Sequence, residues 1–458
     1  MSLLEEAHGE LACLAGVARA DITPPPDIYA RNWGAAEHDA AEGIHRPLTL
    51  TALVASDGAG GEPLALVAAD LGWWRGPDEE RRVRQAVLET LGAGQAMVAL
   101  SHTHAGPSTC LADADRPGGQ AIAAYIDLLC ERARAAVRRA REALAPAIVS
   151  WTYGKCGLAR HRDLPEPGGA RLLCGFHPGG PSDDTLLVGR VSAPDGRVRA
   201  TIVNYACHPT SLAWANRLIS PDYVGACREV MEAASAGAPC LFLQGASGEL
   251  APREQYASDP SVADRNGRVL GLAAASALEG MLPPATALTF DRALESGAPL
   301  GLWRRGPRAP SAVLRARTIA VKVLLKTLPS AAELRAQEAA CPERVLAERL
   351  RRKRTIREAV GDGATAELPF WLWRMGDAVL VGHANEAYSD LQRSLRARFA
   401  PRPVAVINLV NGPCLGYLPP AALYDDDVYQ VWQTPLARGS LERVVAEVGN
   451  AVDALLAE

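Results

Sequence analysis

The sequence lacks several features that would assign it to a common class of protein. Its 48 basic and 52 acidic residues give a formal net charge of only -4, which leaves no excess charge for binding nucleic acid or an anionic membrane. No window approaches the ~20 predominantly apolar residues that span a bilayer. Residues 1–10 also lack the basic segment and apolar run of a secretory signal. We therefore expect a cytoplasmic protein without integral membrane association, whose partners are small molecules.

Paired cysteines and internal repeats are absent as well. The ten cysteines form no C-x-x-C pair, which argues against a thiolate zinc cluster and, in a cytoplasmic chain, against a disulfide framework. The apolar fraction of 48% and the charged fraction of 22% are those of an ordinary globular protein. Because we find no repeat and no low-complexity linker, we expect residues 1–458 to form a single compact catalytic domain.

Strand-like and helix-like segments alternate along the chain, which favours an α/β architecture of mixed β-sheets flanked by helices. Strands are predicted at Leu64 to Ala69, Ala96 to Leu100, Ala200 to Ala206, Cys240 to Leu243 and Val379 to Gly382. Helices are predicted at Asp78 to Leu91, Ala121 to Ala143 and Leu441 to Leu456.

Two further segments have unusual compositions. Leu164 to Pro181 is dense in glycine and proline, which predicts an irregular surface loop or lid. Ala331 to Val360 is highly charged, and from Arg349 to Arg354 only Leu350 is not basic. We interpret this segment as a solvated helix, with an anion-binding site as the alternative.

Two histidines stand at the end of the strand predicted at residues 96–100, in the stretch SHTHAGP of residues 101–107. If the chain stays extended through Thr103, alternation places the rings of His102 and His104 on one side, within reach of a single ion. Neutral imidazole is a favoured zinc ligand. The pair by itself is equally consistent with two hydrogen-bonded histidines.

Other predicted strands also end in loops rich in polar or small residues. The strand at 200–206 leads into Cys207-His208-Pro209-Thr210, and the strand at 240–243 leads into residues 244–249. The last strand, at 379–382, leads into His383-Ala384-Asn385-Glu386. Loops on a rigid scaffold commonly assemble an active site, so we expect these strand ends to meet.

Five ordered motifs resemble those of the neutral ceramidase family. They are ADITPP at 20–25, SHTHAGP at 101–107, NYACHPT at 204–210, SPDY at 220–223 and QGASG at 244–248. The resemblance extends from about Gly16 to Tyr429 and corresponds to the family's catalytic domain. We expect no counterpart of the carboxy-terminal immunoglobulin-like domain of the longer ceramidases.

The resemblance implies a zinc-dependent amidase whose Zn²⁺ is held by two histidines, a glutamate and a tyrosine. Matched motif by motif, these ligands are His102, His208, Glu386 and Tyr417. Glu386 could instead be a carboxylate that opens a helix running to Phe399, and Tyr417 could be a core tyrosine. Two imidazoles and one carboxylate leave room on zinc for water, whose pKa such a site lowers toward ~7.

The resemblance also suggests catalytic roles. His104 is assigned the proton transfer to the leaving amine, with orientation of a ligand as the alternative. Tyr429 matches a second active-site tyrosine, an oxyanion donor. Arg162 resembles the family's Asn-Arg element and would hold a substrate oxygen, although His161 replaces the asparagine and an ordinary surface arginine is the alternative.

Two residues are weaker candidates for substrate binding. Asp222 in the SPDY motif could orient the substrate or simply form a turn. Ser247 could replace a serine that the family carries where this chain has Ala251, or could serve only the backbone of a glycine-rich turn. The absence of that serine favours attack by water over an acyl-enzyme and makes ceramide a doubtful substrate.

The sequence therefore predicts a zinc-dependent amide hydrolase that cleaves an N-acyl bond of a small or lipid-like substrate. Two alternatives remain. One is a zinc-dependent acyl transferase or cyclase on the same fold, and the other is a binding protein without catalytic activity.

Overall fold

A computed structural model describes residues 4–458 of the chain. Its strands, numbered in chain order, are β1 (Glu5–Ala7), β2 (Gly9–Asp21), β3 (Gly43–Ile44), β4 (Thr49–Ser56), β5 (Leu64–Ala69), β6 (Gln95–Leu100), β7 (Ala145–Lys155), β8 (Ala159–His161), β9 (Asp163–Pro165), β10 (Arg171–Cys174), β11 (Thr185–Ser192), β12 (Val198–Tyr205), β13 (Leu218–Ile219), β14 (Cys240–Gln244), β15 (Leu250–Pro252), β16 (Thr286–Glu295), β17 (Pro299–Pro307), β18 (Leu314–Leu324), β19 (Thr365–Met375), β20 (Ala378–His383), β21 (Glu386–Ala387), β22 (Val404–Ile407), β23 (Tyr417–Leu418) and β24 (Asp427–Val428). The α-helices are α1 (Pro77–Leu91), α2 (Ile122–Glu142), α3 (Tyr223–Ala234), α4 (Pro260–Glu279), α5 (Ala331–Ala340), α6 (Arg344–Val360), α7 (Asp390–Phe399), α8 (Tyr429–Gln433) and α9 (Ser440–Ala457).

Two sheets organise the molecule. The larger has eight strands in the order β14-β12-β11-β7-β2-β4-β5-β6 and is antiparallel except for the pairs β5/β6 and β12/β14. The smaller has four strands in the order β18-β19-β20-β22, of which β20 and β22 are parallel. These parallel pairs are the ones that lead into the loops rich in polar or small residues.

The two sheets pack face to face over a shared apolar core. Met97 and Trp151 from the larger sheet and Trp373 and Leu380 from the smaller one belong to this core and are almost fully buried. On the outer face of the larger sheet lie helices α1 to α4, and on the outer face of the smaller sheet lie α7 and α9. Every residue of β5, β14 and β20 is buried, because these strands are covered on both faces.

The larger sheet curls until its two edge strands, β6 and β14, contact each other. Residues 408–411, which follow β22, lie between these two edge strands and hydrogen-bond to both, and we call this contact the seam. The amide of Asn408 donates to the carbonyl of Gln244 in β14 at 2.9 Å, and the amide of Leu100 in β6 donates to the carbonyl of Leu409 at 3.2 Å. The Asn411 side chain accepts from the amide of Val98 at 2.8 Å and donates to the carbonyl of Ala96 at 2.7 Å. Closure therefore brings the ends of the edge strands together.

The predicted fold class, mixed sheets flanked by helices, is confirmed. The strand predicted at residues 64–69 coincides with β5, and the other predicted strands and helices differ from β6, β12, β14, β20, α1, α2 and α9 by one or two residues at an end. The prediction of a single catalytic domain over residues 1–458 stays a prediction.

Two predicted segments need correction. The glycine- and proline-rich stretch at 164–181 is not wholly irregular, because β9 and β10 pair antiparallel within it and β10 also pairs with β24. The charged segment at 331–360 is not one solvated helix. It forms α5 and α6, which are separated at Cys341-Pro342-Glu343 because proline cannot continue a helix. On α6, Glu348 and Ile356 are each only 8% exposed, so this helix packs against the body of the protein.

Among residues 4–458, no helix is both long and apolar enough to cross a membrane. The cytoplasmic location stays a prediction from the amino-terminal sequence.

Candidate active site

The predicted metal ligands all lie where strands end. His102 follows β6, His208 follows β12, and Glu386 lies in the short strand β21 that follows β20. Tyr417 lies in β23, which pairs parallel with β21 so that Glu386 and Tyr417 are opposite each other. The curled sheet brings the first two strand ends together, and the packing of the second sheet adds the other two.

Three of these side chains converge on one point. The Nε2 atoms of His102 and His208 are 3.0 Å apart, and Oε2 of Glu386 lies 3.1 Å from the first and 3.0 Å from the second. All three residues are buried. In a tetrahedral zinc site with bonds of 2.0–2.1 Å, neighbouring ligand atoms are about 3.3 Å apart, so the observed triangle is close to one face of such a site.

The hydrogen bonds of the two rings show which atoms face inward. Nδ1 of His208 donates to the carbonyl of Ser247 at 2.7 Å, and Nδ1 of His102 lies 3.3 Å from the carbonyl of Gly72. A neutral imidazole has a single N–H, so donation from Nδ1 leaves the lone pair on Nε2. Burial, followed by the nearby charge of Arg162, lowers the pKa of His208 to about 3, which keeps its ring neutral.

Two imidazole nitrogens and a carboxylate oxygen therefore face one another at about hydrogen-bond distance. A cation among the three atoms would stabilise this arrangement. The donor set of two nitrogens and one oxygen fits zinc, because two histidines and a glutamate form a common set of protein ligands in catalytic zinc sites. The residues present thus fit the metal that the motifs imply.

His104 lies beside this triangle. Its ring centre is 4.8 Å from that of His102 and 5.9 Å from that of His208. Both its nitrogens are buried and make no hydrogen bond within the described residues. Burial lowers the pKa of His104 well below its ordinary value, so the ring is neutral. The ligand atoms of the three histidines all lie within 4.8 Å of one another, so His104 is placed either to carry a proton or to act as a further nitrogen ligand.

The backbone at His102 differs from the prediction. The chain does not stay extended after β6, because His102 has φ = +69°, in the left-handed region where histidine is more frequent than most residues. Its amide donates to the carbonyl of Leu71 at 2.9 Å, which fixes this turn. The rings of His102 and His104 are adjacent nevertheless, through a turn rather than through strand alternation.

Arg162 is a buried residue rather than an ordinary surface arginine, with 4% exposure. Its Nε and Nη2 donate to the carbonyl of Gly248 at 3.1 and 2.7 Å, and Nη2 donates to the hydroxyl of Tyr417 at 3.2 Å. The ring of Tyr417 stacks on that of His208, with centres 6.3 Å apart, and contacts the ring of Tyr429 edge to face. These contacts place the two tyrosines beside the triangle, while their roles as ligand and oxyanion donor stay predictions.

Ser247 and Asp222 have structural contacts. The Ser247 hydroxyl accepts from Nε2 of Gln244 at 2.6 Å, and its carbonyl orients His208. The carboxylate of Asp222 caps α3 by accepting from the amide of Tyr223 at 2.6 Å and also accepts from the amide of Leu212 at 2.9 Å. Both residues are fully buried. Their contact with substrate stays a prediction.

Several residues that the sequence did not single out lie at this site. Trp73 packs its ring 5.7 Å from that of His102 and 5.1 Å from that of His104. It could have been found from the sequence, because it follows β5, the parallel neighbour of β6. Arg75, Arg351 and Arg352 line the same pocket, which has an empty volume of about 630 Å³. No local pattern in the sequence of α6 indicates that this helix packs over the site.

The fold is similar to that of solved ceramidases. The crystal structure of neutral ceramidase from Pseudomonas aeruginosa matches with a TM-score of 0.66 and 17% identity, over 96% of this chain and 73% of that chain. A ceramidase complexed with C2 matches with a TM-score of 0.65 and 16% identity, over 96% of this chain and 74% of that chain. No family model and no curated protein matches the sequence. The neutral-ceramidase-like fold predicted from the five motifs is thus confirmed.

Proposed function

We propose that this protein is a zinc-dependent amide hydrolase that cleaves an N-acyl bond of a small-molecule substrate. The observation that supports this most strongly is the buried triangle of His102, His208 and Glu386, whose inward-facing nitrogen and oxygen atoms match the donor set of a catalytic zinc site. The likeness of the fold to neutral ceramidases favours the same reaction class. Tyr417, next to His208, is the proposed fourth ligand.

A bound zinc ion would supply Lewis acidity, which makes water a usable nucleophile at neutral pH and polarises a carbonyl. The surroundings of the three inward-facing atoms hold them in place. Gly72 and Ser247 accept from the outer nitrogens of the two histidines, and Cys414 Sγ lies 3.5 Å from the second carboxylate oxygen of Glu386. Partners of this kind orient metal ligands and are expected to matter for affinity.

His104 is the proposed proton carrier. Its neutral ring can accept a proton from the attacking water and then donate it to the leaving nitrogen, since neither of its nitrogens is engaged elsewhere in the described structure. The rings of Trp33 and Trp73 each lie with their centres 5.1 Å from that of His104, and both ring nitrogens of His104 are buried. Such an environment keeps the ring neutral before the reaction.

Tyr429 and Arg162 are proposed to handle the developing negative charge. Tyr429 lines the pocket and offers a phenolic hydroxyl to the amide oxygen, while Arg162 holds the Tyr417 hydroxyl in position. Ala251 is buried in β15 and paired with β8, so it contributes no hydroxyl to the pocket. The absence of a serine at this position favours direct attack by water over an acyl-enzyme.

The test is the metal content and amide hydrolysis of the wild type and of His208→Ala. We expect about one zinc per chain in the wild type, and loss of both metal and turnover in the variant, because the triangle loses one of its nitrogens. His45→Ala is a matched control, since that half-buried histidine contacts Ser220 and Asp264 outside the pocket. Unchanged zinc and unchanged turnover in His208→Ala would reject this site.

Product analysis separates hydrolysis from acyl transfer. Incubation with an added amine should leave the free acid as the product if water is the nucleophile, whereas a new amide would identify a transferase. Zinc well below one per chain in the wild type would favour a binding protein instead.

A further inference from the structure

The most basic segment of the chain lies at the candidate active site. Arg351 and Arg352 of α6 line the same pocket as His102, His104 and Glu386. The solvated helix predicted for this segment would have placed these charges in water. Their position at the pocket instead makes them available to whatever enters it.

Helix α6 is fixed in this position by polar contacts with loops of the larger sheet. Nη2 of Arg352 donates to the carbonyl of Asn32 at 2.7 Å. Nη1 of Arg351 lies 3.0 Å from Oδ1 of Asp113, a carboxylate that is 3% exposed. The guanidinium groups are therefore held in place over the pocket rather than free to move as on a solvated surface.

Trp73 connects the arginines to the reactive groups. The guanidinium carbons of Arg75 and Arg352 lie 5.4 and 5.9 Å from the centre of the Trp73 ring. The same ring is 5.1 Å from that of His104. A substrate whose amide lies at the histidines would thus have another part of its structure within reach of these arginines.

The positive charge at the pocket exceeds the negative charge that pairs with it. Within the described part of the chain, Arg75, Arg351 and Arg352 share two carboxylates, Asp113 and Glu348. Asp113 lies 2.8 Å from Arg75 and 3.0 Å from Arg351, and Glu348 lies 2.9 Å from Arg351 and 3.1 Å from Arg352. The three arginine side chains are 12%, 14% and 23% exposed, so the unmatched charge is largely shielded from water.

Two more cations of α6 lie near the pocket without lining it. Lys353 Nζ lies 3.8 Å from the centre of the Trp432 ring, and the Arg349 guanidinium carbon lies 5.6 Å from it. Trp432 stacks on Tyr429, which lines the pocket. Within residues 4–458, neither cation has a carboxylate within ion-pair distance. A neutral substrate would leave the excess positive charge of the three arginines over Asp113 and Glu348 without a counter-ion.

We propose that the substrate is an amide that carries an acidic group, such as an N-acyl amino acid, and that Arg352, with Arg75 and Arg351 beside it, binds that group. This inference rests on the proposed function for the reacting amide. A guanidinium group matches a carboxylate with two parallel hydrogen bonds, and partial burial strengthens them. A neutral, two-chain lipid amide offers no such partner.

Matched pairs of amides test the proposal. N-Octanoylglycine and N-octanoylethanolamine differ only by a carboxylate in place of a hydroxymethyl group on the amine half. The succinyl and butanoyl amides of one aniline place the same kind of difference on the acyl half. We expect kcat/KM of the zinc-loaded protein to be roughly 10- to 100-fold higher for the acidic member of at least one pair, because hydrogen bonds to charged groups are the stronger ones.

Variants of Arg352 identify the residue responsible. We expect Arg352→Ala to reduce the ratio of kcat/KM between acidic and neutral amide at least tenfold, mainly through KM, and Arg352→Lys to retain part of it. Arg354→Ala is the matched control on the same helix, because Arg354 pairs with Glu338 and Glu358 outside this pocket. A ratio that stays unchanged in Arg352→Ala, or falls equally in Arg354→Ala, would overturn the proposal.

A binding experiment separates this proposal from the proposed reaction. Titration calorimetry of the whole chain with the N-octanoyl pair requires no turnover. Tighter binding of N-octanoylglycine, weakened in Arg352→Ala, together with no cleavage of any amide, would retain the acidic ligand and reject the hydrolase. Cleavage or binding of the neutral amide as strong as that of the acidic one would reject the acidic substrate while leaving the hydrolase in place.

Discussion

His104 is placed for two roles, and a single substitution distinguishes them. As a proton carrier it should be dispensable for metal binding, because His102, His208 and Glu386 already converge. We expect His104→Ala to keep about one zinc per chain and to lose roughly 10²- to 10⁴-fold in kcat. Metal analysis and saturating kinetics on the same preparation measure both. Trp33→Phe, which keeps an aromatic ring against His104, is the control for packing. Loss of zinc in His104→Ala would instead assign three histidines to the metal.

At the scale of single residues, the sequence predicted which residues lie at the candidate site better than it predicted what their side chains contact. His102, His208 and Glu386 converge as expected, since each comes directly after a strand whose end lies at the site. The same logic could not show where Ser247 and Asp222 point. Both follow the right strands or motifs, yet their side chains turn into the protein to satisfy backbone amides and a glutamine.

Helix α3 depends on a buried cap. Replacing Asp222 by alanine leaves the amides of Leu212 and Tyr223 buried without their acceptor, so we expect a loss of about 2–4 kcal/mol in the free energy of unfolding. Chemical denaturation measures it. Asp259→Ala removes the exposed cap of α4 and should cost only about 0.5–1 kcal/mol. Equal losses in the two variants would contradict this distinction between a buried and an exposed cap.

The same carboxylate predicts a pH dependence. Burial raises the pKa of Asp222 from its ordinary value of 3.8 to about 6, so the folded protein favours the protonated form more than the unfolded chain does. Its contribution to stability is therefore greatest below about pH 4 and declines as the pH rises to about 6. Because Asp222→Asn removes this titration, its stability relative to the wild type should improve by up to about 3 kcal/mol over that range. Denaturation at several pH values tests it, and a difference independent of pH would contradict it.

Among the elements, those with a clear apolar period were predicted well, and those stabilised by partners distant in sequence were not. Helix α9, with its apolar face on the smaller sheet, differs from the prediction by one residue at each end. The short strand β10 has no such period and forms because β9 and β24 supply backbone partners. Helix α6 was predicted to be solvated because its contacts with Asp113 and Asn32 join segments far apart in the chain.

At the scale of the whole molecule, the seam between β6 and β14 positions the ends of these two strands at the candidate active site. Asn411 is the residue there whose side chain bonds the backbone of β6 twice. We expect Asn411→Ala to lower the free energy of unfolding by about 2–4 kcal/mol, because it leaves a buried amide and a buried carbonyl without partners. Zinc affinity should fall with it, since His102 follows β6 directly. Calorimetric unfolding and metal competition measure the two effects.

Asn450→Ala is the control, because this asparagine contacts Arg398 on an exposed face of α9. An Asn411 variant that unfolds earlier but binds zinc as tightly as the wild type would show that closure of the sheet and metal binding are independent. Neither the curl of the sheet nor this seam was predictable from the sequence, because both arise from packing between segments far apart in the chain; Asn411 lies more than 300 residues from its partners in β6.

Helices α5 and α6 form the connection between β18 and β19, which are neighbouring antiparallel strands. The proposed metal ligands lie at the ends of other strands. Arg351 and Arg352, which we propose bind the acidic group, therefore lie in a different segment of the chain from the proposed metal ligands. Residues 331–360 could be replaced by a less basic helical pair that keeps the pairing of β18 with β19. We expect this replacement to shift the substrate preference toward uncharged amides and to leave the proposed metal ligands in place.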